Sequence, residues 1–214
     1  MAHLPGGRTP ANNPFTVNET RRPFATAPAP APDGTLVVTI TYLEMLKPPP
    51  AARRRARLEK LAIFRVRHPT VPFYRYLYNN VGEPWLWYER RALSDDELAA
   101  IITDNQVHLY VLYRDGAPAG FVELDRRVAN EVELAYFGLL PQYIGQGLGP
   151  WLLGWAVETA WRSQPSRIWV NTCTLDHPKA IIVYQCAGFS PYRQETRTIR
   201  DPRAEPSWQG QHAP

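Results

Sequence analysis

Residues 141–149 read PQYIGQGLG, and this stretch decides the fold. Three glycines alternate with other residues, directly after an apolar run and directly before a segment rich in Trp and Leu. Glycine in regular structure has a high entropic cost, so its repetition predicts a turn that a ligand approaches closely. The first N–H groups of a helix lack partners inside it, and the helix dipole adds positive charge there. The stretch therefore predicts an anion-binding turn, and we expect a phosphorylated cofactor as its ligand.

The segments on either side of this turn predict a strand, a helix and a second strand. Residues 131–140 are typical of a strand, and apolar residues at helical spacing predict a helix from 147 to about 163. Pro150 fits the first turn of this helix, where its missing N–H costs little. Residues 167–175 predict the second strand. Two strands joined through a helix are expected to be parallel.

Similar patterns predict the other elements of the chain. They are a strand over 35–45, a helix over 53–66, a short helix and then a loop over 74–91, a helix over 94–102, a hairpin over 107–124, a helix over 179–188 and a closing strand over 189–199. Ser94 and Glu97 have the spacing of a capping box, which defines the start of one helix. The order is a β-meander and then the strand–turn–helix–strand unit. The fold class is α/β (α+β), a mostly antiparallel sheet with one parallel strand pair, flanked by helices.

Composition divides the 214 residues into three parts. Residues 1–33 hold seven of the 22 prolines and predict a disordered Pro/Ala-rich extension. One domain is expected over 34–202, followed by a flexible C-terminal tail over 203–214. The first 57 residues hold eight of the 24 Lys/Arg but only three of the 20 Asp/Glu. The domain itself is therefore close to neutral, so we expect no nucleic-acid partner.

Cysteine, histidine and hydropathy patterns limit the other classes of function. Cys173 and Cys186 form no C-x-x-C motif and are interpreted as reduced packing residues of a cytoplasmic protein. The five His residues show no ligand spacing, so no metal site is predicted. The sequence has no apolar run long enough to span a bilayer, and no membrane association is expected.

The glycine-rich turn resembles the acetyl-CoA loop of the GNAT superfamily of N-acetyltransferases, [QR]-x-x-G-x-[GA]. Gly147 and Gly149 match its last two positions, with Ile144 where Arg or Gln is usual; a register beginning at Gln142 also fits. Residues 176–189 resemble the family segment N-x-x-A-x-x-x-Y-x-x-x-G-F, with His177 in place of the Asn. The resemblance is clearest over 107–189 and implies the GNAT fold.

The resemblance also implies which residues bind acetyl-CoA and which perform the transfer. The implied cofactor-binding residues are Phe137, Leu139, Ile144, Gly145, Gln146, Gly147, Leu148, Gly149 and His177. Phe137 and Leu139 would act through their backbones, and His177 would contact the pantetheine or cap the next helix. Glu133 matches the glutamate base of one branch of the family, directly or through water. Tyr184 matches the usual general acid.

Aromatic residues near the middle of the chain supply the candidate acceptor site. Trp85, Trp87 and Tyr88 lie where family members shape the acceptor pocket, and could hold a cationic amine by cation–π contact. The predicted function is direct transfer of an acetyl group from acetyl-CoA to a primary amine of a small molecule or peptide. The alternative is a non-catalytic acyl-CoA-binding or regulatory domain. A homodimer is left open.

Overall fold

The computed structural model of the protein describes residues 28–50 and 60–209. Seven strands in this part form one sheet in the order β2-β3-β4-β5-β6-β1-β7. The strands are β1 (Thr35–Met45), β2 (Leu61–Val66), β3 (Val107–Arg114), β4 (Ala117–Asp125), β5 (Glu131–Leu139), β6 (Arg167–Cys173) and β7 (Ser190–Arg200). The helices are α1 (Val71–Gly82), α2 (Asp95–Ile102), α3 (Leu148–Trp161), α4 (Ala180–Cys186) and α5 (Pro206–Gln209).

The predicted fold class is confirmed. Strands β5 and β6 are parallel, and the other neighbouring pairs are antiparallel. The hairpin of β3 and β4 turns at Asp115 and Gly116, and the predicted capping box of α2 is present in both of its hydrogen bonds. These features depend on neighbouring residues in the sequence, which is why local patterns predicted them.

Strand β1 does not lie beside β2, the next strand in the sequence. It is inserted between β6 and β7, where Ile40 pairs with Cys173 on one side and with Glu195 on the other. The predicted meander therefore lacks its first strand. Residues 34 and 201 are adjacent, because Asp201 N–H donates to the Gly34 carbonyl. Strands β1 and β7 thus form a hairpin-like pair without a connecting turn.

Two segment predictions need correction. The helix expected over 53–66 is wrong at its end, because residues 61–66 form β2 and pair with β3; residues 53–59 lie outside the described residues. Of the tail expected to be flexible over 203–214, residues 203–209 instead belong to a 3₁₀ turn and α5, with Trp208 buried. The Arg91 guanidinium lies 3.9 Å from the centre of the Trp208 ring, which helps to hold this segment against the domain. The predictions for residues 1–27 and 210–214 lie outside the described residues.

Each face of the sheet packs against a different set of helices. Helix α3 covers one face, where Leu134 and Leu139 of β5 join its apolar residues. Helices α1 and α2 cover part of the other face, where Tyr136 packs. A β-bulge at Ala135 allows Leu134 and Tyr136 to pack on opposite faces of the sheet. Ala135 has no β4 partner in the ladder, between the Glu123–Tyr136 and Leu124–Leu134 pairs. The bulge sets Glu133 and Tyr136 on the α1 face, while Phe137 packs with the α3 core.

Some properties follow directly from the described residues. Among them, no helix is both long and apolar enough to cross a membrane. The same residues contain no group of three or more His, Cys, Asp or Glu side chains arranged to hold a metal ion. Cys186 is exposed, so its interpretation as a packing residue is wrong, whereas Cys173 is partly buried.

Candidate active site

A cleft of about 530 Å³ opens where β5 and β6 separate. The two strands pair only from Glu131 to Glu133 on β5, opposite Arg167 to Trp169 on β6. The ladder between β4 and β5 continues to Leu139, so β5 remains extended while one of its edges has no strand partner. Residues 134–139 line the cleft along this edge. The volume lies within the range of small-molecule sites.

The glycine-rich turn forms one end of the cleft. Gly145 and Gly147 both have φ of +78°, a backbone conformation that side chains disfavour, and helix α3 begins at Leu148. A Cβ atom built on either glycine would meet no described atom within 4 Å. Open space beside a helix N-terminus suits a phosphate group, so these residues fit the pyrophosphate of a CoA-type ligand.

Most of the predicted cofactor-binding residues are brought together in the cleft. Those that line it are Phe137, Leu139, Ile144, Gly145, Gly147, Gly149 and His177. Two do not. The Leu148 side chain is fully buried in the core. Gln146 turns outward, where its side chain accepts a hydrogen bond from Arg114 and donates one to the Gln142 carbonyl. The Leu148 side chain is thus closed to a ligand, while the backbone of both residues remains available.

His177 lies at the cleft and just before α4, and its contact with the pantetheine stays a prediction. Its ring lines the cleft and packs edge-on against Trp85, with 5.2 Å between the ring centres. Nδ1 accepts a hydrogen bond from Lys179 N–H at 3.1 Å, just before α4 begins. Burial, with a smaller contribution from the Lys179 charge, lowers the pKa of His177. The ring is therefore neutral at physiological pH, as acceptance at Nδ1 requires.

Tyr184 lies on α4 and faces the cleft opposite β5. Its ring packs against Phe137, with 6.3 Å between ring centres, and against Phe189. Burial, and then the nearby Asp176 carboxylate, raise the pKa of Tyr184 well above its usual value. The phenol therefore keeps its proton at neutral pH and is a weaker acid than an exposed tyrosine.

The three aromatic residues predicted for the acceptor also line the cleft. Trp87 is fixed most firmly, because Nε1 donates to Asp176 at 3.1 Å and its ring contacts Tyr78 and Tyr136. Gly82 at the end of α1 allows this arrangement, since a Cβ there would lie 2.5 Å from Trp87. Trp85 is buried, and Tyr88 is partly exposed.

Glu133 lies outside the lining of this cleft. It faces a smaller cavity of about 250 Å³ that Asp125, Glu131 and Trp169 also line. Burial raises the pKa of Glu133 to about 7, and the negative charges of Asp125 and Glu123 add to the increase. Its proton affinity suits a general base near neutral pH. Its position separates it from the other predicted site residues.

A buried charge network near Glu133 was not predicted. Glu123 is fully buried, accepts a hydrogen bond from the Tyr74 hydroxyl, and pairs with Arg90 at 2.7 Å. The Arg90 guanidinium also lies 5.3 Å from the centre of the Tyr136 ring. Removing one member would leave an uncompensated buried charge, so the network fixes this side of the cleft.

Further cleft residues come from strands that the sequence does not connect with the site. Val38 and Ile40 of β1, together with Arg197 and Ile199 of β7, form a wall of the cleft. No local motif marks them, because they reach the cleft only through the insertion of β1. Glu89 and Asp176 also line it, and both are next to predicted site residues in the sequence.

Comparison with protein families matches residues 74–189 to the acetyltransferase (GNAT) family. This range contains all the residues predicted for the site. No curated protein matches the chain.

Solved structures share the fold at low sequence identity. One is a conserved protein of unknown function from Staphylococcus epidermidis, with a TM-score of 0.55 and 13% identity, covering 79% of this chain and 64% of that one. A GCN5-related N-acetyltransferase from Sphaerobacter thermophilus has a TM-score of 0.53 and 17% identity, covering 78% and 54%. A spermidine N-acetyltransferase from Vibrio cholerae has a TM-score of 0.51 and 19% identity, covering 67% and 95%. The chain thus spans less than two thirds of the first two.

Proposed function

Because the chain belongs to the acetyltransferase (GNAT) family, we propose that it transfers an acetyl group from acetyl-CoA directly to a primary amine. The observation that carries this proposal is the cleft between β5 and β6. It joins the glycine-rich turn, Tyr184 and the aromatic acceptor wall in one continuous space.

The glycine-rich turn would hold the phosphate end of the donor. Backbone N–H groups at the start of α3 would bind the pyrophosphate, where Gly145 and Gly147 leave the necessary room. The pantetheine would follow the unpaired edge of β5 past Leu139 and Phe137. A backbone N–H on this edge would stabilise the oxyanion that forms when an amine attacks a thioester.

Tyr184 would supply a proton to the departing sulfur. The phenol is protonated at neutral pH, and its position at the cleft supports this role, although burial raises its pKa and so makes it a weaker acid. Cys173, which also lines the cleft, is a poor nucleophile because burial and the Asp176 charge raise the pKa of its thiol to about 12. This supports direct transfer to the amine and argues against an acetylated cysteine.

The amine must lose a proton before it attacks, since the free pKa of an alkylamine is near ten. Glu133 remains the predicted base, and its pKa of about 7 supports that role. Because the carboxyl group faces the smaller cavity, its contact with the amine would pass through water. A Glu133→Gln variant should then lose kcat at neutral pH, with a smaller loss at high pH. A wild-type pH–rate profile would remove Glu133 from the mechanism.

The function is tested by separating binding from turnover. Isothermal titration with CoA measures the donor site, and release of free thiol from acetyl-CoA measures transfer over a panel of amino acids, polyamines, aminoglycosides and lysine peptides. We expect CoA binding and turnover with at least one amine. Binding without turnover over the whole panel would indicate the alternative, a non-catalytic acyl-CoA-binding domain. Absence of CoA binding would refute both functions.

A further inference from the structure

Two carboxylate side chains, Asp176 and Glu89, line the cleft, and they differ in how many hydrogen bonds their oxygens accept. Asp176 accepts three hydrogen bonds, from Trp87 Nε1, Thr172 Oγ1 and Cys173 N–H. These bonds fix the turn after β6 and the plane of the Trp87 ring. Asp176 is therefore a structural carboxylate. Glu89, by contrast, is exposed at the edge of the same cleft.

Glu89 is positioned by a buried residue through one of its oxygens. The Tyr78 hydroxyl donates to Glu89 Oε2 at 3.3 Å and accepts a hydrogen bond from Arg90 N–H at 3.2 Å. Tyr78 is almost completely buried, so it holds the Glu89 side chain at the cleft. The second oxygen, Oε1, has no hydrogen-bond partner within residues 28–50 and 60–209.

None of Arg90, Arg197 and Lys179, which neighbour Glu89 in the sequence or line the same cleft, forms an ion pair with it among the described residues. Arg90 turns away and pairs with the buried Glu123. Arg197, which lines the cleft, pairs with Glu195. Across the described chain, Glu89 forms no ion pair. Its charge is thus available to a ligand, beside the rings of Tyr88 and Trp87, which also favour cations.

From this arrangement we propose that Glu89 anchors a second, non-reacting ammonium group of the acceptor. The acceptor class is then an amine with two or more cationic groups, of which linear diamines are the simplest probes. This inference rests on the proposed function. The reacting amine lies deeper, beside Tyr184, because a group bound tightly to a carboxylate would keep its proton and could not attack. Glu89 is therefore a specificity-determining residue that contacts substrate without taking part in the transfer.

The test compares linear diamines with monoamines of the same chain length. Glu89→Gln should raise KM for the diamine by about three- to tenfold, the range expected for an exposed pair beside an aromatic face. The KM for the monoamine and kcat for both should stay within about twofold. Glu89→Lys should raise the diamine KM further. Asp96→Asn makes the same change of charge on an exposed α2 residue outside the cleft lining, and should alter neither KM.

Each outcome bears on either the inference or the function beneath it. Equal changes of KM for diamine and monoamine, or no change with either, would overturn the anchoring role. Turnover of monoamines alone by the wild-type protein would overturn it while leaving the proposed function intact. If the wild-type protein neither binds CoA nor acetylates any amine, the proposed function itself is refuted. Thermal melting of each variant confirms that it is folded.

Discussion

Glu133 makes the stability of the protein fall as the pH rises, and a neutral variant should remove this contribution. Burial and the charges of Asp125 and Glu123 raise its pKa from an ordinary 4.5 to about 7. The folded state therefore binds this proton more tightly than the unfolded state. Glu133 favours unfolding increasingly as the pH rises above 4.5, and its full penalty is present above pH 7. Glu133→Gln removes the charge and keeps the shape, so it should stabilise the protein at high pH.

The size of this effect follows from the difference between the two pKa values. A difference of about 2.5 units, at ~1.4 kcal/mol per unit, destabilises the folded state by about 3 kcal/mol at pH 8. At pH 5 the unfolded state is only partly ionised at this position, and the penalty is about 1 kcal/mol. The stability advantage of Glu133→Gln over the wild type should therefore grow by about 2 kcal/mol between pH 5 and pH 8.

Urea denaturation followed by the fluorescence of the seven Trp residues measures this difference. Glu131→Gln is the matched control, since it lies two residues away on β5 and its carboxylate pairs with Arg167 at 3.0 Å. That variant loses an ion pair and should gain no stability at pH 8. Parallel pH dependences for the wild type and Glu133→Gln would refute the raised pKa and, with it, the electrostatic basis for a base at this position.

Four further variants test other parts of the structure. Gly147→Val should weaken CoA binding at least tenfold, on the order of 1.4 kcal/mol, because a β-branched residue disfavours φ of +78° and its methyls would fill the open space. If titration shows that the folded variant binds CoA with wild-type affinity, the donor must bind elsewhere. Ile144→Arg should bind CoA at least as well as the wild type. Tyr184→Phe should lower kcat roughly a hundredfold with little change in CoA affinity, and steady-state rates equal to those of the wild type would exclude Tyr184 as the acid. Trp208→Ala should cost about 3 kcal/mol of unfolding free energy, because the ring packs against Leu36, Val38, Leu86 and Leu175; a loss below about 1 kcal/mol in urea denaturation would mean that α5 adds little.

The sequence was sufficient for the elements whose causes are local. The capping box at Ser94, the turn at Asp115 and the glycine-rich turn before α3 each depend on residues within a few positions of one another. The same holds for Tyr184, because its spacing from the start of α4 fixes the face on which it lies. The glycine-rich turn and Tyr184 form much of the end of the cleft proposed for the acetyl donor, so the resemblance was able to locate that end from the sequence.

Features with distant causes were missed or misplaced. Residues 61–66 have no strong local preference, and their pairing with β3 makes them a strand. The bulge at Ala135 reverses the alternation of β5, so spacing along the sequence could not show that Glu133 and Phe137 face opposite sides of the sheet. Glu89 acquires its position from Tyr78 and from the pairing of Arg90 with Glu123. Such relations appear only when the three-dimensional arrangement is known.

The insertion of β1 between β6 and β7 also determines when the sheet can be completed during synthesis on the ribosome. Strand β1 is translated before the rest of the sheet, but the partners of Ile40 follow more than a hundred residues later. At ribosomal rates of about 5–20 residues per second, β1 waits roughly 7 to 30 seconds for them. During that interval its apolar residues lack their strand partners, so a chaperone that shields extended segments should raise the yield of folded protein. Completion of the sheet would then depend on the last strand to emerge, and translation pauses before β7 should prolong the vulnerable period.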